Sequence, residues 1–107
     1  MINLKFNAMK IAEIEDEKNS PLTSLIDDFK MSTLALLIEK GGNLSNEESY
    51  KKIDEELASG KETQEILLDI LEMVQRDGFL PKIMDFQTIR EQMAIKKKEL
   101  KKILLKR

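Results

Sequence analysis

The sequence predicts an all-α protein, a small bundle of about five or six helices with a short N-terminal extended segment and a long basic C-terminal helix. Three observations predict this class. Charged residues make up 36% of the 107 residues, with only four glycines and two prolines, a composition typical of helices with solvated faces. Apolar residues recur at helical spacing along most of the chain. Helix-capping and helix-breaking residues separate these stretches.

The N-terminal third contains an extended arm and two short helices. Residues 2–6 alternate between apolar and polar side chains, which predicts an arm with these residues facing inward: Ile2, Leu4 and Phe6. Helical spacing begins near Asn7, and the predicted apolar stripe of the first helix is Met9, Ile11, Ala12 and Ile14. Ser20 is a suitable N-cap for a second helix, with Pro21 at its first position. The apolar face of that helix is Leu22, Leu25, Ile26 and Phe29.

The third helix is predicted to be the most buried, because residues 34–38 are apolar and cover nearly all of its sides. Ser32 or Thr33 is expected to cap its N-terminal end. Gly41 and Gly42 are expected to end it by supplying the positive φ angle that a C-terminal cap needs.

Two amphipathic helices follow. Ser45 and Glu48 have the spacing of a capping box and open a helix whose inward residues are predicted to be Tyr50, Ile53 and Leu57. A helix over about residues 61–77 comes next, and Gly78 is its expected C-terminal cap residue. Its predicted inward face is Ile66, Leu67, Ile70, Leu71 and Val74.

One helical pattern runs from Lys82 to the end of the sequence. Its apolar residues form a heptad-like seam in which Lys96 stands at a core position: Phe86, Ile89, Met93, Leu100 and Ile103. An apolar elbow at residues 79–81 precedes it. We therefore divide the chain into a helical domain at 1–80 and a long basic amphipathic helix at 81–107 that projects in part.

The charge is divided unequally. Residues 1–81 carry 9 basic and 17 acidic residues, a net of −8, whereas residues 82–107 carry 9 basic and 3 acidic residues, a net of +6. A basic end predicts contact with nucleic acid or with an acidic protein surface. The lysines have no aromatic residue among them to stack on bases, and phosphate contact does not need an apolar stripe. We favour protein contact, and a small helical nucleic-acid-binding regulator stays the alternative.

The residue types present argue against an enzyme. The sequence has no Cys and no His, which excludes disulfides and thiolate metal sites and removes the commonest general base. The paired carboxylates are adjacent in sequence and point about 100° apart on a helix. We predict no catalytic, cofactor or metal site. No apolar stretch approaches the roughly 20 residues that span a bilayer, and no signal peptide is seen, so we expect a cytoplasmic protein without a membrane partner.

The order of these elements resembles that of a known family. An early segment reads LKFNAMKIAEIEDEKNSPLTSLIDDF, a second MSTLALLIEKGGNLSNEESYKKIDEEL, and a third TQEILLDILEMVQRDGFL. Together they resemble the tail assembly chaperones of long-tailed bacteriophages and prophages, over roughly residues 2–80. The matching positions are Phe6, Ile11, Glu15, Leu34, Leu36, Leu37, Leu44, Ile53, Ile66, Ile70 and Leu71.

The resemblance implies a non-enzymatic role in virion morphogenesis. Such chaperones keep the tape measure protein soluble in the host cytoplasm until tail tube subunits polymerise around it, and they are absent from the mature virion. A longer, frameshifted form that recruits tail tube protein is typical of the family, and the resemblance implies that this chain would correspond to the short form. A helical adaptor without a phage role is a further alternative.

The predicted helices over about residues 61–77 and 82–107 have more apolar surface than one small core should bury. We expect this surface to bind a partner, the tape measure protein, and to support self-association into a homo-oligomer. The candidate partner-binding residues are Ile66, Ile70, Met73, Val74, Phe86, Ile89, Met93, Leu100 and Ile103.

Overall fold

The computed structural model describes residues 3–27 and 30–105, apart from the side chain of Leu105. Within these ranges the chain forms six helices and no strand, which confirms the all-α prediction. The helices are α1 (Ala8–Lys18), α2 (Leu22–Asp27), α3 (Met31–Gly42), α4 (Asn46–Ala58), α5 (Thr63–Arg76) and α6 (Phe86–Leu105).

The core is built around α3. Residues 33–38 of this helix are all buried, as the uninterrupted apolar run predicts, and α1, α4 and α5 pack against it. One hydrophobic cluster extends from Leu4 in the arm to Phe86 at the start of α6. The first turn of α6 therefore belongs to the same core as the N-terminal arm.

The N-terminal arm is extended, and its side chains alternate as the sequence predicts. Leu4 and Phe6 are buried while Lys5 is exposed; Ile2 lies outside the described residues. The backbone N–H of Lys5 donates a hydrogen bond of 2.9 Å to the carbonyl of Gly41 in α3. A Cβ atom at Gly41 would lie 2.6 Å from Cζ of Phe6, so glycine is needed there for close approach of the arm.

The predicted glycine stop of α3 is wrong. Gly41 and Gly42 both lie inside the helix. The residue with a positive φ angle is Asn43, at 54°, since asparagine also tolerates the left-handed conformation. The N-terminal prediction also needs correction, because α3 begins at Met31 without a cap from Ser32 or Thr33.

The start of α2 also differs from the prediction. Leu22, not Pro21, is its first residue. The N–H of Leu22 donates a hydrogen bond of 2.8 Å to the carboxylate of Glu15 in α1, so a distant side chain takes the role predicted for Ser20. Leu22 and Leu25 are buried, whereas Phe29 lies outside the described residues.

The capping box of α4 is confirmed, since Ser45 and Glu48 each bond the other's backbone N–H. The predicted inward faces are only partly right. Ile53 is buried, but Tyr50 and Leu57 are more than one third exposed. In α1, Ile11 and Ile14 are buried whereas Met9 and Ala12 are exposed. In α5, the buried residues are Ile66, Leu68, Ile70, Leu71 and Val74, and Leu67 is half-buried.

The last helix begins four residues later than predicted. Residues 81–85 form a turn, preceded by Gly78 with the expected positive φ angle of 94°. The carboxylate of Asp85 accepts hydrogen bonds from the N–H of Thr88 at 3.1 Å and from its hydroxyl at 2.7 Å. This local N-cap fixes the start of α6 at Phe86.

Candidate partner-binding surface

Two clusters of ion pairs hold α6 against α5. The guanidinium of Arg90 lies 2.7 Å from the carboxylate of Asp69 and also contacts Glu72. Two turns later, the ammonium of Lys97 contacts Glu62. Because later residues of α6 meet earlier residues of α5, the two helices run antiparallel.

These ion pairs raise the pKa values of their two cations. Glu72 and, to a lesser extent, Asp69 raise the pKa of Arg90, and Glu62 raises the pKa of Lys97. Part of the charge asymmetry between body and tail is therefore balanced inside the chain. This internal balance involves only two of the basic residues of α6, Arg90 and Lys97, however.

The apolar seam of α6 divides into two halves. Phe86 is buried and Met93 packs against the core. Beyond them the side chains of Leu100, Ile103 and Leu104 are 61%, 59% and 62% exposed. We call these three residues the distal stripe. α6 continues for about 12 Å beyond Lys97 at 1.5 Å per residue, which carries it past the first turn of α5.

A groove of about 500 Å³ lies between the two helices where the halves of the seam meet. Its apolar lining comes from α6, through Met93, Ala94 and Leu100, and its charged lining includes Glu65 and Lys96. The groove thus joins the docked half of α6 to the distal stripe in one continuous surface.

Four of the predicted partner-binding residues are buried in the core instead: Ile66, Ile70, Val74 and Phe86. Met73 is half-buried, and its sulfur accepts a hydrogen bond of 3.2 Å from the N–H of Leu4. The exposed members of the predicted set all lie on α6: Ile89, Leu100 and Ile103. Leu104 joins them, one helical turn after Leu100. Met93 is half-buried and lines the groove.

Lysines surround the distal stripe: Lys96, Lys98, Lys101 and Lys102 are exposed, and none forms a salt bridge within the described residues. Lys101 follows Lys97 by four residues and so lies on the same flank of the helix. Lys106 and Arg107 fall outside the described residues. The end of α6 is thus an aliphatic stripe with basic borders.

No group of three or more acidic, His or Cys side chains in the described ranges is placed to hold a metal ion. None of the helices seen in those ranges has the length and apolar character needed to cross a bilayer. Comparison with known proteins finds no matching family model, curated protein or solved structure.

Proposed function

We propose that this chain is a non-enzymatic tail assembly chaperone of a long-tailed phage or prophage. In this role it binds the tape measure protein in the host cytoplasm and keeps it soluble while the tail is built. The observation that carries the binding role is the distal stripe, three large aliphatic side chains about 60% exposed at the end of α6. The family resemblance over residues 2–80 supplies the identity of the partner.

The physical requirements of such a chaperone agree with this surface. A long helical client that exposes apolar stripes aggregates unless another apolar surface covers it. The distal stripe supplies that surface, and its lysine borders keep the free chaperone in solution. The acidic body, with a net charge of −8 over residues 1–81, serves solubility in the same way.

The titratable groups also support a binding role without chemistry. The carboxylates with lowered pKa values lie in caps and ion pairs, as for Asp85 beside Thr88 and Asp77 beside Arg76. Such pairs stabilise local structure and do not place an acid beside a base across a cleft. The proposal therefore includes no catalytic activity.

Co-expression with the tape measure protein encoded in the same tail gene cluster tests the proposal. We expect the soluble fraction of the tape measure protein to rise with this chain and to fall again with the triple variant Leu100→Gln, Ile103→Gln and Leu104→Gln. Glutamine preserves helix propensity at these positions. The matched control is Ile83→Gln, which changes an apolar side chain that is 93% exposed in the turn before α6. Equal insolubility with and without the chain would refute the proposal.

A nucleic-acid-binding regulator is the second candidate. The observation that favours it is the group of exposed lysines at the end of α6, whose ammonium groups could neutralise backbone phosphates. It leaves the distal stripe without an occupant, because aliphatic side chains gain nothing from contact with phosphates. For this reason it ranks second.

A further inference from the structure

The packing of α6 on α5 shows what kind of helix α6 binds. Acidic residues lie at the N-cap of α5 and along one flank of its apolar face, at spacings of three and four residues: Glu62, Glu65, Asp69 and Glu72. Arg90 and Lys97 of α6 meet this flank at intervals of two turns. α6 therefore already binds one amphipathic helix with an acidic border within its own chain.

The same pattern continues along α6 past the end of α5. Leu100 follows Met93 by seven residues and so repeats its position on the seam, and Leu104 lies one turn further. Lys101 repeats the flank position of Lys97 in the same way. α5 begins at Thr63, so the interface that α5 and α6 share continues on α6 without an occupant in the described structure.

We infer that the distal half of α6 docks an amphipathic helix of the client whose apolar stripe is bordered by carboxylates, in the arrangement that α5 presents to the first half of α6. This inference rests on the proposed function, since it takes the occupant to be a client helix. It adds the chemistry of recognition: aliphatic contact with the distal stripe, and acidic residues opposite Lys101, which has no salt bridge within the described residues.

Two other occupants fit the surface less well. Parallel pairing with α6 of a second copy would bring the lysines around both distal stripes together, and like charges in contact are destabilising. A nucleic acid would satisfy the lysines but leave Leu100, Ile103 and Leu104 in water. An acid-bordered helix satisfies both parts of the surface at once.

Two synthetic helical peptides test the inference on the full chain. Both carry leucines at i, i+3, i+4 and i+7; one has Glu and the other Lys on the flanks. We expect the Glu peptide to bind about tenfold more tightly by fluorescence anisotropy, as a few exposed ion pairs allow. Its affinity should fall as salt is added.

Variants of the chain locate the binding. Lys101→Glu should weaken the Glu peptide and strengthen the Lys peptide, and Leu100→Gln should weaken the Glu peptide. Lys82→Glu makes the same charge change at an exposed position in the turn before α6. As the matched control, it should leave the ratio of the two affinities unchanged.

Several outcomes would overturn the inference. Equal affinity for the two peptides, no binding of either, or displacement of the Glu peptide by a DNA duplex at about 150 mM salt would each do so. Self-association that Leu100→Gln abolishes would show that a second copy occupies the surface. If this chain solubilises the tape measure protein but binds the two peptides equally well, the inference alone is overturned. A clear preference for the Glu peptide with an insoluble tape measure protein overturns the proposed function alone.

Discussion

The carboxylate of Asp77 accepts a hydrogen bond of 2.8 Å from the backbone N–H of Phe6, 71 residues earlier in the chain. Arg76 beside it donates to the side-chain oxygen of Asn3 at 2.7 Å and to the carbonyl of Leu4. The end of α5 therefore holds the N-terminal arm through side chains. This contact fixes the first described residues to α5, the helix against which α6 packs.

Removing the Asp77 carboxylate tests this contact. Asp77→Ala leaves the partly buried N–H of Phe6 without its acceptor, so we expect the free energy of unfolding to fall by about 1–3 kcal/mol. Urea denaturation followed by circular dichroism measures it. Asp54→Ala is the control, because Asp54 is exposed on α4 and makes no hydrogen bond or ion pair within the described ranges. Equal losses in both variants would contradict the prediction.

Acid should weaken the same contact. Arg76, and then the N–H of Phe6, hold the pKa of Asp77 below its ordinary value of 3.8. A lowered pKa in the folded state means that the stabilisation is complete above about pH 5 and is lost as the pH falls through the lowered value. As the pH is lowered from about 5 through the lowered pKa of Asp77, we expect the melting temperature of Asp77→Ala to fall less than that of the wild type. Parallel plots of melting temperature against pH for the two proteins would show that folding does not lower the pKa of Asp77.

The approach of Phe6 to Gly41 predicts a coupled pair. Gly41→Ala places a methyl group 2.6 Å from the Phe6 ring, and such overpacking typically costs about 1–3 kcal/mol. Phe6→Leu removes the ring and makes room. In denaturant titrations the double variant should therefore lose less stability than the sum of the single variants. Additive losses would mean that the close contact is not what requires glycine.

The sequence predicted the features that depend on near neighbours. The capping box of Ser45 and Glu48 lies within four residues, so the sequence contains all its parts. The cap of Leu22 by Glu15 and the need for glycine at position 41 depend on how separate segments meet. No local pattern records such contacts, and the predictions for Ser20 and Gly41 failed for that reason.

The surface was predicted only in part for a similar reason. Helical spacing shows which residues share a face, but the same spacing is found in Ile66, which is fully buried, and in Leu100, which is exposed. The difference arises because α5 lies between α3 and α6, whereas the distal half of α6 passes the end of α5. Helix lengths and helix packing decide which apolar faces are buried in the core. The periodicity of the sequence does not contain this information.

The ion pairs of Arg90 should determine how stably α6 packs against α5. Arg90→Gln removes contacts with Asp69 and Glu72 and leaves two carboxylates without this cation. We expect faster amide hydrogen exchange in α6 and unchanged exchange in α3, because the ion pairs of Arg90 lie between α5 and α6. Lys98→Gln is the control, since Lys98 is exposed without a salt bridge in the described part of the chain. Faster exchange throughout would instead show that Arg90 stabilises the whole fold.

A salt titration with duplex DNA separates the two candidate functions. Four exposed lysines at the end of α6, with Lys106 and Arg107 of the sequence, make six cations. We therefore expect binding at low salt to weaken with a log–log slope of magnitude about five or less and to be lost near 150 mM salt. Leu100→Gln should not change this binding, because the leucine makes no phosphate contact, whereas it weakens the Glu peptide. Fluorescence anisotropy measures both. DNA affinity that persists near 150 mM salt would favour the regulator, since counterion release by so few cations is too small to sustain it.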